Sequence, residues 1–233
     1  MTVLGIESAT AVCGVAIVAD GVVLADSRIV QKNVHAEKLL TLVDDVLRKS
    51  GQTMSGVSGI AISIGPGSFT GLRIGLSVAK GLSYATGIPL VAVPTLEALA
   101  ETLVLAMHGE ELRHILAMID ARRDEVYCQL FRVAEGTVVK VWEEKDRSLD
   151  EVLADLKDLP VMVTGDANEK LAALLQVAAT GKTESIRFAD PEAARCSAAT
   201  VALIGERLLR DGRTEDLAVL EPRYIKEFFF KSR

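Results

Sequence analysis

Residues 11–30, AVCGVAIVADGVVLADSRIV, constrain the fold more than any other part of the chain. Two β-rich runs flank Asp20-Gly21, a dipeptide that accepts the positive φ angles of a tight hairpin turn. A third β-rich run, TVLGIES (2–8), precedes them. The chain therefore opens with three consecutive antiparallel strands. From His35 the apolar period becomes helical: Ala36, Leu39, Leu40, Val43, Val46 and Leu47 share one face, with Glu37, Lys38, Asp44, Asp45 and Arg48 opposite. Gly51 ends this helix.

The rest of the first half alternates strand and helix. GIAISI (59–64) reads as a buried strand, residues 70–86 as a helix capped by Ser68 or Thr70, IPLVAV (88–93) as a strand, and the run from Pro94 as a helix. A second region starts near residue 110. HILAMIDA and EVYCQLFRV are strands, and GTVVKVWEE is the hairpin partner of the second. SLDEVLADL is a helix, PVMVTG a strand, and NEKLAALLQVAA and SAATVALIGERLLRDG are helices, with a loop over 180–190. This pattern predicts two α/β lobes, 1–108 and 109–233, with the last helix available to fold back on the first lobe.

Composition narrows the function. With 26 Lys and Arg against 32 Asp and Glu, the net charge is -6. A chain that grips nucleic acid by itself shows a basic footprint, so RNA contact is expected only through a partner. Cys13, Cys128 and Cys196 are too far apart for a zinc site or redox pair and read as small buried hydrophobes. Glu7 interrupts the start of the chain, which lacks the basic region of a signal peptide. No uncharged apolar run approaches the ~20 residues that span a bilayer. A cytoplasmic protein without membrane contact is expected.

GPGSFTGLRIG (65–75) resembles a phosphate loop, but its spacing fails both nucleotide motifs. A Walker loop needs Lys and a hydroxyl after its last glycine, whereas Leu72 and Arg73 follow Gly71. The dinucleotide fingerprint needs GxGxxG, and Gly65, Gly67 and Gly71 are spaced one residue too long. An anion held by backbone N–H groups remains open. Gly71, Gly75 and Ala79 recur every four residues, a flat face suited to close packing on a sheet. Leu72, Ile74, Leu76, Val78 and Leu82 make most of the remaining surface apolar, with Arg73 and Lys80 its only charges. Such a helix is either deep in its domain or covered by its sheet on one side and another protein on the other.

The run GPGSFTGLRIGLSVAKGLSYATGIPLVAVPTLEALA, with IESATAVCGVAIV and HAEKLL, resembles the bacterial TsaB family, also called YeaZ. The resemblance is dense through residue 105 and returns in LEPRYIKE (220–227). It implies the two-lobed fold of actin, sugar kinases and Hsp70 ATPases (ribonuclease H-like lobes). It also implies a non-catalytic subunit that binds and activates the catalytic paralogue TsaD. The two would work with the ATPase TsaE in threonylcarbamoyl transfer to adenosine in tRNA. Pairing through the first two helices would use His35, Leu39, Leu42, Val46, Leu72, Arg73, Leu76 and Lys80, with a homodimer forming when the partner is absent. The resemblance implies no cofactor bound by this chain alone and leaves open ADP or ATP at the complex interface.

The departures matter as much. The paralogue's two metal-binding histidines correspond here to Thr95 and Leu99, flanking Glu97, so no metal site is expected; His35, His108 and His114 have no metal-like spacing. Most family members begin with DTAT or DTST, where this chain has ESAT, Glu7 to Thr10. Contacts to a nucleotide or anion, if made, would come from Glu7, Ser8, Thr10, Gly67 and Ser68. DARRDEVY (120–127) resembles the family's DARxxEVY and suggests a turn in which Asp120 pairs with Arg122 or Arg123. Phe228, Phe229 and Phe230 either tuck into a groove or form an adhesive contact. The competing functions are a stand-alone ATP-dependent phosphotransferase or ATPase of the same fold, and a metallopeptidase-like protein.

Overall fold

The structure, a computed structural model, describes residues 1–107, 113–178 and 185–226. The opening meander is β1 (Thr2–Glu7), β2 (Val12–Ala19) and β3 (Val22–Val30). Asp20 and Gly21 both take positive φ, 47° and 78°, so the β2–β3 turn has the primed geometry that matches strand twist. The helix α1 (His35–Ser50) ends at Gly51 in the left-handed region. Then come β4 (Gly59–Gly65), α2 (Phe69–Thr86), β5 (Leu90–Pro94) and α3 (Thr95–Ala106). Of the two residues expected to cap α2, Ser68 does so, accepting from the Gly71 amide at 3.3 Å.

The second half repeats the plan. Its elements are β6 (His114–Asp120), β7 (Glu125–Ala134), β8 (Thr137–Lys140), β9 (Lys145–Ser148), α4 (Leu149–Leu156), β10 (Val161–Thr164), α5 (Asn168–Ala178), β11 (Ile186–Phe188) and α6 (Ala198–Arg210). The first sheet has the order β3-β2-β1-β4-β5 and the second β8-β7-β6-β10-β11, with β9 pairing β7 off that path. In each, three antiparallel strands are followed by two parallel ones. The chain is thus two ribonuclease H-like units of one topology, the fold of actin and the sugar kinases. The strand β9 and the edge strand β11 escape the sequence pattern. Both are short, and β11 lies inside the stretch read as a loop, its pairing to β10 supplied by tertiary contact rather than by periodicity.

The last helix of each half lies between the sheets. Leu96, Leu99, Ala100 and Leu103 of α3 pack with Ile115, Ala117, Ile119 and Phe131 of the second sheet. Val201, Ala202 and Ile204 of α6 pack with Val3, Val18, Ala61 and Val91 of the first. The approach is close: a Cβ added to Gly5 would lie 2.3 Å from the Ala198 carbonyl oxygen. Glu101 of α3 accepts two bonds from Arg207 of α6, at 2.5 and 2.7 Å, and ties the two helices together. The expected lobe boundary at 108/109 falls outside the described residues.

Candidate functional site

The glycine loop after β4 is filled by the chain's own first turn. The Ser68 amide donates to the Ala9 carbonyl at 2.6 Å. A Cβ at Gly67 would lie 2.2 Å from that same oxygen, and one at Gly71 would lie 2.2 Å from the Ser8 carbonyl oxygen. At Gly75 it would lie 2.0 Å from Ser8 Oγ. The glycines therefore admit backbone, not phosphate, and they seat α2 on the end of β1. On the other side, residues 220–226 cross the loop. The Arg223 amide donates to the Ile64 carbonyl at 2.8 Å, and Arg223 Nε pairs with Glu144 Oε1 at 2.5 Å.

Glu7 is sealed beneath this contact. Its carboxyl has no solvent exposure; Oε1 accepts from the Ala9 amide at 2.7 Å and Oε2 has no partner. Burial raises its pKa to about 7, against the lowering effect of the Ala9 amide, the Ser63 hydroxyl and the Thr10 backbone. The five residues expected around a nucleotide or anion lie close in space but do not face one open cavity. Glu7 and Ser8 are fully buried, Gly67 and Ser68 lie against Ala9, and Thr10 alone opens onto a cavity.

That cavity, of about 580 Å3, lies between the lobes. The β1–β2 turn, β3 and α3 supply Thr10, Val12, Val30 and Leu99; the second lobe supplies Ile119, Asp166, Glu169, Phe188 and Arg195. This is where a fold of two facing lobes places its ligands. Its lining carries two carboxylates and one guanidinium, with Arg195 Nε 3.2 Å from Glu192 Oε1. A polyphosphate would meet more negative than positive charge here. The neighbouring β6–β7 turn corrects one expectation. Among the described residues no arginine side chain pairs with Asp120; its Oδ1 accepts from the Arg122 backbone amide at 2.7 Å and from Lys170 Nζ at 2.5 Å.

The positions that match the paralogue's metal motif have structural partners. The Thr95 hydroxyl accepts from the Gly65 amide at 3.0 Å. Glu97 pairs with Lys140 at 3.2 Å, and Leu99 is in the core. His35 is buried with Nε2 3.1 Å from the Val12 carbonyl, His114 begins β6, and His108 lies outside the described residues. Cys13, Cys128 and Cys196 are all buried and free.

The residues expected to form the helix interface need the largest correction. His35, Leu39, Leu42, Val46, Leu72 and Leu76 are all buried. Leu39, Leu42, Val46 and Leu76 belong to one core cluster with Val15, Ile17 and Ile60. Periodicity located the apolar face of each helix, but that face serves the chain's own sheet. Arg73 is exposed and Lys80 half-buried; the Arg73 guanidinium stacks 3.7 Å from the Phe69 ring centroid and donates to the Tyr224 hydroxyl at 2.9 Å. The surface that α2 does present is Arg73, Ser77, Gly81 and Tyr84, with Ile74 and Val78 half-buried and Leu40 of α1 exposed. Tyr84 is 86% exposed, and a Cβ at Gly81 would meet nothing within 4 Å. The sequence signal for this face was available in Ser77 and Gly81, four residues apart on the side away from Gly71, Gly75 and Ala79.

Known proteins match across most of the chain. The family described as "TsaD: tRNA N6-adenosine threonylcarbamoyltransferase" matches residues 23–228. The tRNA threonylcarbamoyladenosine biosynthesis protein TsaB of Bacillus subtilis (strain 168) is 32% identical over 167 residues, 71% of this chain and 71% of that protein. The TsaB of Escherichia coli (strain K12) is 29% identical over 238 residues, 88% of this chain and 100% of that one. Among solved structures, YeaZ from Pseudomonas aeruginosa superposes with a TM-score of 0.79 at 25% identity, covering 96% of this chain and 99% of the other.

Proposed function

Because the chain belongs to the TsaB (YeaZ) family of tRNA threonylcarbamoyladenosine biosynthesis proteins, we propose that it is the docking, non-catalytic subunit of that pathway. In this reading the exposed face of α2, with Leu40 of α1, seats a helix of the TsaD-type catalytic paralogue. The TsaE-type ATPase acts on the assembled pair, and tRNA is engaged only through the complex. In its absence the same face pairs two copies of this chain, so the two contacts compete. Any ADP or ATP would sit at the complex interface. The setting is the cytoplasm; among the described residues no helix is long and apolar enough to cross a membrane.

Gly81 carries the reading. A glycine inside a helix costs about 1 kcal/mol relative to Ala unless close packing needs it. Nothing in this chain lies within 4 Å of its missing Cβ. An approaching helix would use the gap, and Tyr84 one turn on would supply an aromatic anchor. The absence of a solvent-reached acid at the glycine loop supports the non-catalytic part, since Glu7 is sealed and Ser8 lies beneath Gly75.

The test mixes the purified chain with the catalytic paralogue and the ATPase, then measures complex mass and tRNA modification. Gly81→Arg is expected to abolish the complex and the modification with the fold intact. Full modification by the Gly81→Arg mixture would refute the docking face. ATP turnover by the isolated chain would instead favour the phosphotransferase reading.

A further inference from the structure

The sheet of the first half leaves one long edge open. In the order β3-β2-β1-β4-β5, the far edge strand β5 is met by the Glu215 amide, which donates to the Leu90 carbonyl at 2.8 Å. The edge strands of the second sheet, β8 and β11, are only four and three residues long. β3 runs nine residues, Val22–Val30, with neither the proline nor the lysine that discourages edge pairing.

The phase of its main chain follows from one bond. The Gln31 amide donates to the Ala11 carbonyl at 3.0 Å and continues the β2–β3 register, in which Ile29 faces Cys13 and Ser27 faces Val15. In an antiparallel ladder every second residue bonds to a given neighbour. Ala25, Ser27 and Ile29 therefore turn their N–H and C=O groups to β2, and Leu24, Asp26, Arg28 and Val30 turn theirs away from the sheet. Among the described residues, which end before Phe228–Phe230, no hydrogen bond reaches those outward main-chain groups. The four side chains are exposed as well, Leu24 by 41% and Val30 by 45%.

This edge is its own complement. Antiparallel to a second copy, with Ser27 on the two-fold axis, Asp26 stands opposite Arg28 of the copy and Leu24 opposite Val30, each twice. Opposite charges and aliphatic pairs across strands are stabilising. Moving the axis by one residue puts Asp26 opposite Asp26 or Arg28 opposite Arg28. Arg28 already donates to Glu192 at 2.6 Å, and its guanidinium has further N–H groups for a second carboxylate. On the helix side of the axis, the Ser27 hydroxyl donates to Asp45 at 2.7 Å and accepts from Lys49 at 2.8 Å, so the acid and base there are already matched.

We propose that β3 is a self-recognition edge: two copies of this chain join it antiparallel about Ser27 and merge their first sheets into one. The contact is independent of the docking face on α2, with which it shares no residue, and a pair joined this way presents one such face on each copy.

Sedimentation of the full chain in a Gly81→Arg background, which blocks pairing through α2, tests it. The background protein is expected to be a dimer. Asp26→Arg and Arg28→Asp, each alone, set like charges opposite one another and should raise the dimer dissociation constant at least about tenfold. Both side chains are exposed, so neither change touches the core. The double exchange, Asp26→Arg with Arg28→Asp, should regain the dimer. An equimolar mixture of the two single variants should regain it too, because Arg again meets Asp at every position. A monomeric background protein, single variants that dimerise as well as it does, or a mixture that stays monomeric would each overturn the proposal.

Discussion

At the scale of single residues, Glu7 concentrates the chemistry. Its carboxyl is fully buried with one oxygen unpartnered, and its pKa is raised to about 7 in the folded chain against 4.5 for an ordinary glutamate. The raised value means the native state holds the proton more tightly than the unfolded state. Below pH 4.5 the group therefore costs nothing; the penalty grows as pH rises and is complete above about 7. Its ceiling is about 3 kcal/mol. Glu7→Gln keeps an acceptor for the Ala9 amide and removes the titration. Urea midpoints at pH 5.5 and pH 8 should converge for the variant, which should be the more stable protein at pH 8. An unchanged pH dependence would move the titrating group elsewhere. The sequence showed that Glu7 departs from the family's aspartate. It could not show that the carboxyl is closed off, because its burial comes from tertiary packing, such as the β1–β4 pairing that brings Ser63 beside it.

At the scale of elements, α2 has two glycine faces with opposite physics. Gly71 of α2, and Gly67 in the turn before it, meet carbonyl oxygens of the β1–β2 turn, which cannot move without disturbing the centre of the sheet. Gly67→Ala should cost about 1–3 kcal/mol as overpacking. Gly81→Ala meets nothing and should gain up to about 1 kcal/mol. If Gly81 serves docking, that gain comes with weaker partner binding, so thermal melts and complex mass measured on one variant should move in opposite directions. A destabilised Gly81→Ala would remove the rationale for the face. The helices, their caps and the meander were legible in the sequence because period, Ser68, Gly51 and Asp20-Gly21 are local signals. The burial of Leu72 and Leu76 was not. An almost wholly apolar helix has the same pattern whether its second face meets a partner or its own neighbours, and here α1 and the sheet cover it.

At the scale of the molecule, the exchange of α3 and α6 between the sheets makes the halves interdependent. Glu101 is buried with its carboxylate bound by the half-exposed Arg207. Arg207→Ala leaves that carboxylate without its cation and should cost about 2 kcal/mol. Both lobes should then unfold in one transition, detectable as coincident melting by Trp142 fluorescence in the second half and far-ultraviolet dichroism overall. Separate transitions would show that the helix exchange does not couple them. The repetition of one strand order in both sheets was only partly legible in the sequence. The first lobe announces itself through long strands, whereas β9 and β11 are too short to carry a period.

The packing of α6 on β1 also sets a timetable for synthesis. Val3, on the first strand made, finds its cover in Val201 and Ala202, among the last residues to leave the ribosome. Until then the inner face of the first sheet lacks its α6 cover and has only Ala98 of α3 against it, although all five of its strands have been translated. Between the translation of β5 and that of α6 the nascent chain therefore carries a finished sheet with this apolar surface uncovered, a natural client for a ribosome-associated chaperone.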